Sequence, residues 1–429
     1  MADTPSRQVP DTGRVSELPV FRAALPAPPA RSNAQMARDF LDLSFRMESG
    51  RDIERLSRFE GPITVAVRDG APPSLIPDLD RLLARLRNEA GISISRVETG
   101  PAAITIETLP RARMQRAVPQ AACFVVPRVS SWQEFRQARG SALLDWTTLT
   151  TRETAAIFVP SDVPPQEIRD CLHEELGQAI GPLNDLYRLP DSVFNDDNFH
   201  AVLTGFDMLM LRTYYDPALA SGMTRAVAAQ RLPAILNRLN PRGAGGTAQL
   251  IAETPRSWIE LIETALGRAA APARRQAAAR EALAVAQSRG WSDTRLGFAY
   301  FALGRLSLGQ QGTSALTAFQ AADGVFSRLG QGSIQSAHVD MQLAAFALSA
   351  GDPQNALRLT ERALPAARRA ENAALLATLL MIQAETLAAL GRNEEADAVR
   401  IDSLGWARYG FGDSESVAAR LNEVAALAP

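Results

Sequence analysis

A change of character near Gln230 restricts the fold more than any other feature of the sequence. From there on, the chain is almost entirely alanine- and leucine-rich sequence of helical period, broken by short glycine-containing turns. Three segments within it, TSALTAFQAADGVF, PQNALRLTERALPA and NEEADAVRIDSLGW, align on Ala315, Ala356 and Ala396, spaced 41 and 40 residues apart. Each follows an apolar helix and a break, at Gly309–Gly312, Gly351–Asp352 and Gly391. A period of this length describes stacked helix pairs, each burying its apolar face on the next, with small alanines where the helices approach. Such a half offers a surface to a partner rather than a place for chemistry.

The first half is of another kind. Residues 1–31 are rich in Pro, Ala and Ser, with AALPAPPA at Ala23–Ala30, and read as an extended or disordered arm. From Ser32, SNAQMARDFLDLSFRME has the pattern of an amphipathic helix with a serine or asparagine cap. ITVAV at Ile63–Val67 reads as a strand, and leucines at helical spacing predict a helix over Ile76–Glu89. Further strands are expected at Ile92–Val97, Ala103–Ile106, Cys123–Val126 and Ala155–Val159. A third helix is expected from Pro164, with Asp162 as its cap. This order predicts an α+β domain over residues 32–228, a mixed sheet with helices packed against it, followed by an all-α domain over 229–429.

Composition removes several chemistries. All 45 positive residues are arginine, so no lysine can form a Schiff base or serve a phosphate-binding loop. Only three histidines (His173, His200, His338) and two cysteines (Cys123, Cys171) are present, and they do not stand at the spacing of a four-cysteine or two-cysteine, two-histidine zinc finger. The net charge of −2 gives no reason to expect a nucleic-acid partner. No apolar run reaches the roughly 18–20 residues of a membrane span. The polar start, MADTPSRQVPDTG, lacks a signal peptide's apolar core, and fits equally a cytoplasmic chain or an exported one whose leader has been removed. Cys123 opens an apolar strand and Cys171 precedes the densest polar cluster; one disulfide and two inert buried thiols both fit.

That cluster spans residues 171–223, beginning CLHEELGQAIGPLNDLYRLPDSVFNDDNFH. Glu174 and Gln178 are i,i+4 on one helix face, and Gly181-Pro182 turns the chain toward Asn184 and Asp185. A helix offering two oxygens, with a third brought in by the turn, can surround a metal or a water. His173 and Gln178 are i,i+5 and diverge by roughly 140°. Met208 and Met210 read as core, and His338 as helical surface.

The segment resembles the helix and following loops of metzincin-type zinc peptidases. Aligned on LGQAIG, the resemblance puts Glu174, Gln178 and Asn184 at the metal-ligand positions, Glu175 at the general-base position and Gly181 at the conserved glycine. Phe194 stands where those peptidases keep a methionine beneath the metal. More closely, residues 35–225 resemble the DUF2927 family, mostly exported proteins or lipoproteins. The signature is carried by Cys171, Glu174, Glu175, Gln178, Gly181, Asn184, Asp185, Phe194, Asn195, Asp196, Leu203, Thr204, Asp207, Leu211, Arg212, Tyr215, Asp216 and Pro217. That resemblance implies a periplasmic or cell-envelope location, with membrane attachment only through an N-terminal lipid anchor outside the sequence. The helical half resembles tetratricopeptide repeats, which implies a protein or peptide partner on its concave face.

The departures set the functional expectation. One carboxylate and two carboxamides are poor zinc ligands, so the resemblance implies a degenerate, zincin-like site. No cofactor is expected. The alternatives are zinc at the degenerate positions, or Ca²⁺ held by Glu174, Asp185 and oxygens of Asn195 or Asp196. His173, Asp185, Phe194, Asn195, Asp196 and His200 are expected to form a pocket, and the glutamates to hold a loop through backbone N–H groups or an arginine such as Arg188 or Arg212. The expected function is a non-catalytic binding and scaffold protein. The alternative is a metal-dependent peptidase or amide hydrolase with Glu175 as general base.

Overall fold

The structure, a computed structural model, describes residues 18–21, 28–29, 31–119, 121–248, 251–267, 269–309, 312–330 and 332–428. Most of the Ala23–Ala30 run lies outside the described residues.

Five strands form one mixed sheet: β1 (Ile63–Val67), β2 (Ile94–Arg96), β3 (Ile104–Leu109), β4 (Phe124–Pro127) and β5 (Ala155–Pro160). Their order is β2-β1-β3-β5-β4, and all pairs are parallel except β4, which runs antiparallel along the β5 edge. The helices are α1 (Asn33–Ser44), α2 (Leu75–Ala90), α3 (Arg111–Ala117), α4 (Trp132–Ala138), α5 (Pro165–Ile180) and α6 (Gly205–Tyr214). The fold is α+β, a mixed sheet with helices followed by a region built only of helices. The Ser32 hydroxyl caps α1 by accepting the Gln35 N–H.

Two features depart from the sequence reading. The short helices α3 and α4 were not expected, because seven residues are too few to show a period. They bring Trp132, Phe135 and Met114 onto one face of β5, against Ala156 and Phe158, while Ala155, Ile157 and Val159 face the main core. A strand buried on both faces shows no apolar–polar alternation, so helices on the second face could not be read from it. The Asp162 carboxylate, expected at the start of α5, accepts the Arg111 N–H at the start of α3, 2.7 Å away.

By internal contacts the chain divides into two units. One is Leu25–Val163 with Glu167–Leu306; the other comprises the described residues of Met1–Ala24, Pro164–Gln166 and Ser307–Pro429. The first unit therefore runs well past residue 228. It includes α7 (Arg225–Leu239), α8 (Arg256–Leu266), α9 (Pro272–Ser288) and all but the last residue of α10 (Thr294–Ser307). Aromatic contacts account for this: Tyr187 meets Trp258 edge-on at 5.2 Å, and Phe199 lies 5.7 Å from Phe298 and 5.3 Å from Phe301. Asn33 of α1 also donates from Nδ2 to the Asn240 carbonyl just beyond α7 and accepts at Oδ1 from the Asn240 Nδ2.

The second unit stacks α11 (Gly312–Leu329), α12 (Ile334–Ser349), α13 (Pro353–Arg369), α14 (Ala373–Ala389), α15 (Asn393–Phe411) and α16 (Ser414–Ala425), each on its sequence neighbour. Ala315, Ala356 and Ala396 begin alternate helices of this stack and are buried, as a helical-repeat region requires. Part of the N-terminal stretch is docked rather than free: the Phe21 ring lies 4.3 Å from that of Trp406 on α15, and Pro19 packs at Gly405.

In the first unit, α5 is buried on nearly every side, so its C-terminal carbonyls need partners within the protein. Arg152 supplies them. Its Nη1 donates to Gln178 O and Ala179 O, each at 2.7 Å, and its Nη2 to Gly181 O at 2.6 Å. The positive fork also offsets the negative end of the helix dipole. Arg58 does the same beyond α6, donating to Tyr214 O at 2.8 Å and Asp216 O at 3.1 Å. Arg152→Met keeps side-chain bulk but strands those carbonyls. It should cost about 3–5 kcal/mol of stability, measured as a lower urea midpoint for the first unfolding transition.

Candidate functional site

The cluster read from the sequence is carried by α5 and the loop between α5 and α6. Glycines set how closely these pieces meet. A Cβ on Gly177 would lie 2.9 Å from the buried Phe194 ring, and one on Gly181 would lie 2.6 Å from Leu211 of α6. Phe194 therefore sits beneath α5 as a packing residue, wholly buried. Cys171 on α5 is disulfide-bonded to Cys123, just before β4. This fastens the antiparallel edge strand to the helix, and the Cys123 Sγ lies within 4.8 Å of Glu174 and Glu175 oxygens.

Many of the signature residues have structural partners. Thr204 and Asp207 form a reciprocal capping box at the start of α6. Asp207 also accepts the Ser192 hydroxyl at 2.5 Å and the Val193 N–H at 3.1 Å. Burial raises its carboxyl to about 6 despite these bonds. Asn195 forms a local turn, its Oδ1 accepting the Asp197 N–H at 3.1 Å and its Nδ2 donating to Asp197 and Leu189 O. The Asn184 amide donates to Asp42 O in α1 at 2.8 Å. Tyr215 donates its hydroxyl to Ile180 O at 2.8 Å.

The histidines stand apart from the acids. His173 is buried, and its Nδ1 accepts the Leu203 N–H at 3.1 Å; burial, with Arg85, Arg169 and Arg81 nearby, holds it well below the usual imidazole range. His200 donates from Nε2 to Pro190 O at 3.1 Å. Of the residues expected to share one pocket, Asp185 and Asp196 each line a cavity. A cavity of about 910 Å³ is lined by Asn184 and Asp185, together with Glu48, Tyr187 and Arg256. Asp196 lines a neighbouring cavity of about 860 Å³ with Tyr187 and Glu263. His173, Phe194, Asn195 and His200 line neither.

The structure instead gathers carboxyl groups. Burial drives Glu174 up to about 8, with Asp196, Glu48 and Asp170 adding repulsion. Burial raises Glu175 well above the usual carboxyl range, helped by Glu174 and Glu48. It does the same to Asp185, with Asp196, Glu48 and Glu174 contributing, and with a hydrogen bond to the Glu48 carboxyl. Asp196 rises to about 7 through burial and the nearness of Glu48 and Glu263, partly offset by Arg256. The arginines expected to neutralise the glutamates do not. Arg188 is buried against Asp39 and Asp42 of α1, and Arg212 is exposed. Glu175 Oε2 and Asp185 Oδ1 are buried without a hydrogen-bond partner. Glu48 has no local sequence signal: it sits in a turn after α1 and joins the cluster only through the fold.

Zinc does not fit this donor set. Asn184 is turned to the α1 backbone and Gln178 faces carboxylates; no imidazole joins Glu174, and Cys123 is held in a disulfide.

Residues 33–234 match a family described as "Protein of unknown function (DUF2927)". No curated protein matches the chain.

The raised carboxyls give a pH signature. Glu174 is protonated in the fold up to about 8, against an ordinary value of 4.5. The fold thus binds a proton the unfolded chain has released, and stability falls as pH rises between those two values. In EDTA, Glu174→Gln should differ little from the parent at pH 5 and melt at a higher temperature at pH 9, as followed by differential scanning calorimetry.

Proposed function

Because residues 33–234 belong to the DUF2927 family, we propose from the site itself that this chain is a non-catalytic binding and scaffold protein of the cell envelope. Its α+β unit keeps the outline of a zincin helix without zinc chemistry, and its helical-repeat region engages a protein partner. The observation that carries this reading is the occupation of both histidines of the segment by backbone partners, which leaves the position beside Glu174 and Glu175 without a nitrogen ligand.

Two further observations support it. A disulfide between β4 and α5 suits an oxidising compartment. The packing of Leu18–Phe21 on α15, through Pro19 and Phe21, indicates that this face of the repeats accepts an extended apolar segment. Among the described residues, no helix is long and apolar enough to cross a membrane.

One observation favours a hydrolase instead: Glu175 is a buried carboxyl with an unpartnered oxygen, the state of a general acid or base awaiting substrate. Purified protein separates the two. The scaffold reading expects zinc well below one equivalent by mass spectrometry, and no peptide hydrolysis that Glu175→Gln abolishes. Stoichiometric zinc with activity lost in Glu175→Gln would replace it. For the partner surface, capture from an envelope fraction should rise with Phe21→Ala, which uncovers Trp406, and fall with Trp406→Ala.

A further inference from the structure

Glu48, Gln178 and Asp185 meet at one point. The Gln178 Nε2 lies 3.4 Å from Glu48 Oε1 and 3.4 Å from Asp185 Oδ2. An amide N–H group thus occupies the space between two carboxylates, where the local field most favours positive charge. Two facts show that the amide does not complete the arrangement. Both contacts are long for hydrogen bonds. Asp185 is also 9% exposed, and its second oxygen, Oδ1, is buried with no partner. Four arginines of the cavity lining pair with other acids: Arg188 with Asp39 and Asp42, Arg46 with Asp52 and Glu253, Arg225 with Asp42, and Arg256 with Glu260 and Glu263, while Arg289 lines the cavity from an exposed position.

The geometry points to a binding site for a hard divalent cation, Ca²⁺, formed by Glu48, Gln178 and Asp185. Turning the Gln178 amide over exchanges its nitrogen for its carbonyl oxygen at the same point. The two carboxylates, through Glu48 Oε1 and Asp185 Oδ2, and that oxygen then face one ion. Ca²⁺ takes roughly six to eight oxygens in an adaptable shell, so water entering from the adjoining cavity completes it. Mg²⁺ demands a tighter octahedron, and Zn²⁺ prefers nitrogen or sulfur. The bound ion joins the turn after α1 to α5 and to the loop that follows it. This site is independent of the scaffold reading, since it uses neither the repeat surface nor hydrolysis.

The test is thermal unfolding of the full chain at pH 7.5, stripped with EDTA, dialysed, and titrated separately with CaCl₂, MgCl₂ and ZnCl₂. Ca²⁺ should raise Tm saturably by several degrees at about 100 times its dissociation constant, with a smaller response to Mg²⁺ and none specific to Zn²⁺. Glu48→Gln, at an exposed position, and Asp185→Asn should each remove most of the Ca²⁺ response. Without metal both should melt at or above the parent temperature, because each relieves carboxylate repulsion; this also shows that the variants are folded. Isothermal titration of the parent with CaCl₂ should give one site. A parent indifferent to Ca²⁺ up to 5 mM would overturn the assignment and leave the acids as a proton-sharing pair. So would variants that keep the full response.

Discussion

The candidate site depends on a helix end that cannot reach water. Because α5 is buried on nearly every side, its last carbonyls must be satisfied from within. The Arg152 fork meets three of them, backed by the Trp146 ring 5.0 Å away. Only with that end fixed does the chain turn at Gly181 into the loop that carries Asn184 and Asp185. Arg58 holds the end of α6 in the same way, so the two helices that frame the loop are anchored by two buried arginines. In a chain without lysine, this use of a planar, multi-donor fork is the natural device: one guanidinium bridges several carbonyls that an ammonium would reach one at a time.

Elements whose apolar residues keep a regular period were legible in the sequence. β1 occupies Ile63–Val67 as read, α2 extends the expected helix by one residue at each end, and the 40–41-residue spacing of the alanines marks alternate helices of the stack. Short elements, and associations made between distant side chains, were not legible. Nothing in the local pattern assigns α8–α10 to the first unit, where an aromatic cluster spanning Tyr187, Phe199, Trp258 and Phe298 ties them in.

The site divides along the same line. Threonine three residues before aspartate at Thr204 and Asp207 is a capping box that local chemistry explains, and Asn195 with Asp197 is a local turn. Those parts of the signature hold shape. Glu174, Glu175 and Asp185 were recognised as a group, but their partner Glu48 lies more than 120 residues away in sequence and enters only through α1. The same folding carries His173 and His200 to other neighbours, the Leu203 N–H and the Pro190 carbonyl.

The division of labour between arginine and carboxylate has a further result. A guanidinium keeps its charge at any pH a protein meets, and His173 is kept uncharged by burial. The clamps at the ends of α5 and α6 are guanidinium-to-carbonyl bonds, whereas the carboxyls beside them change charge near neutrality. The α+β unit joins a hydrogen-bonded frame to a centre that titrates. A shift in the acidity of its surroundings would reset the charge at the centre of the domain while leaving the helices that surround it in place.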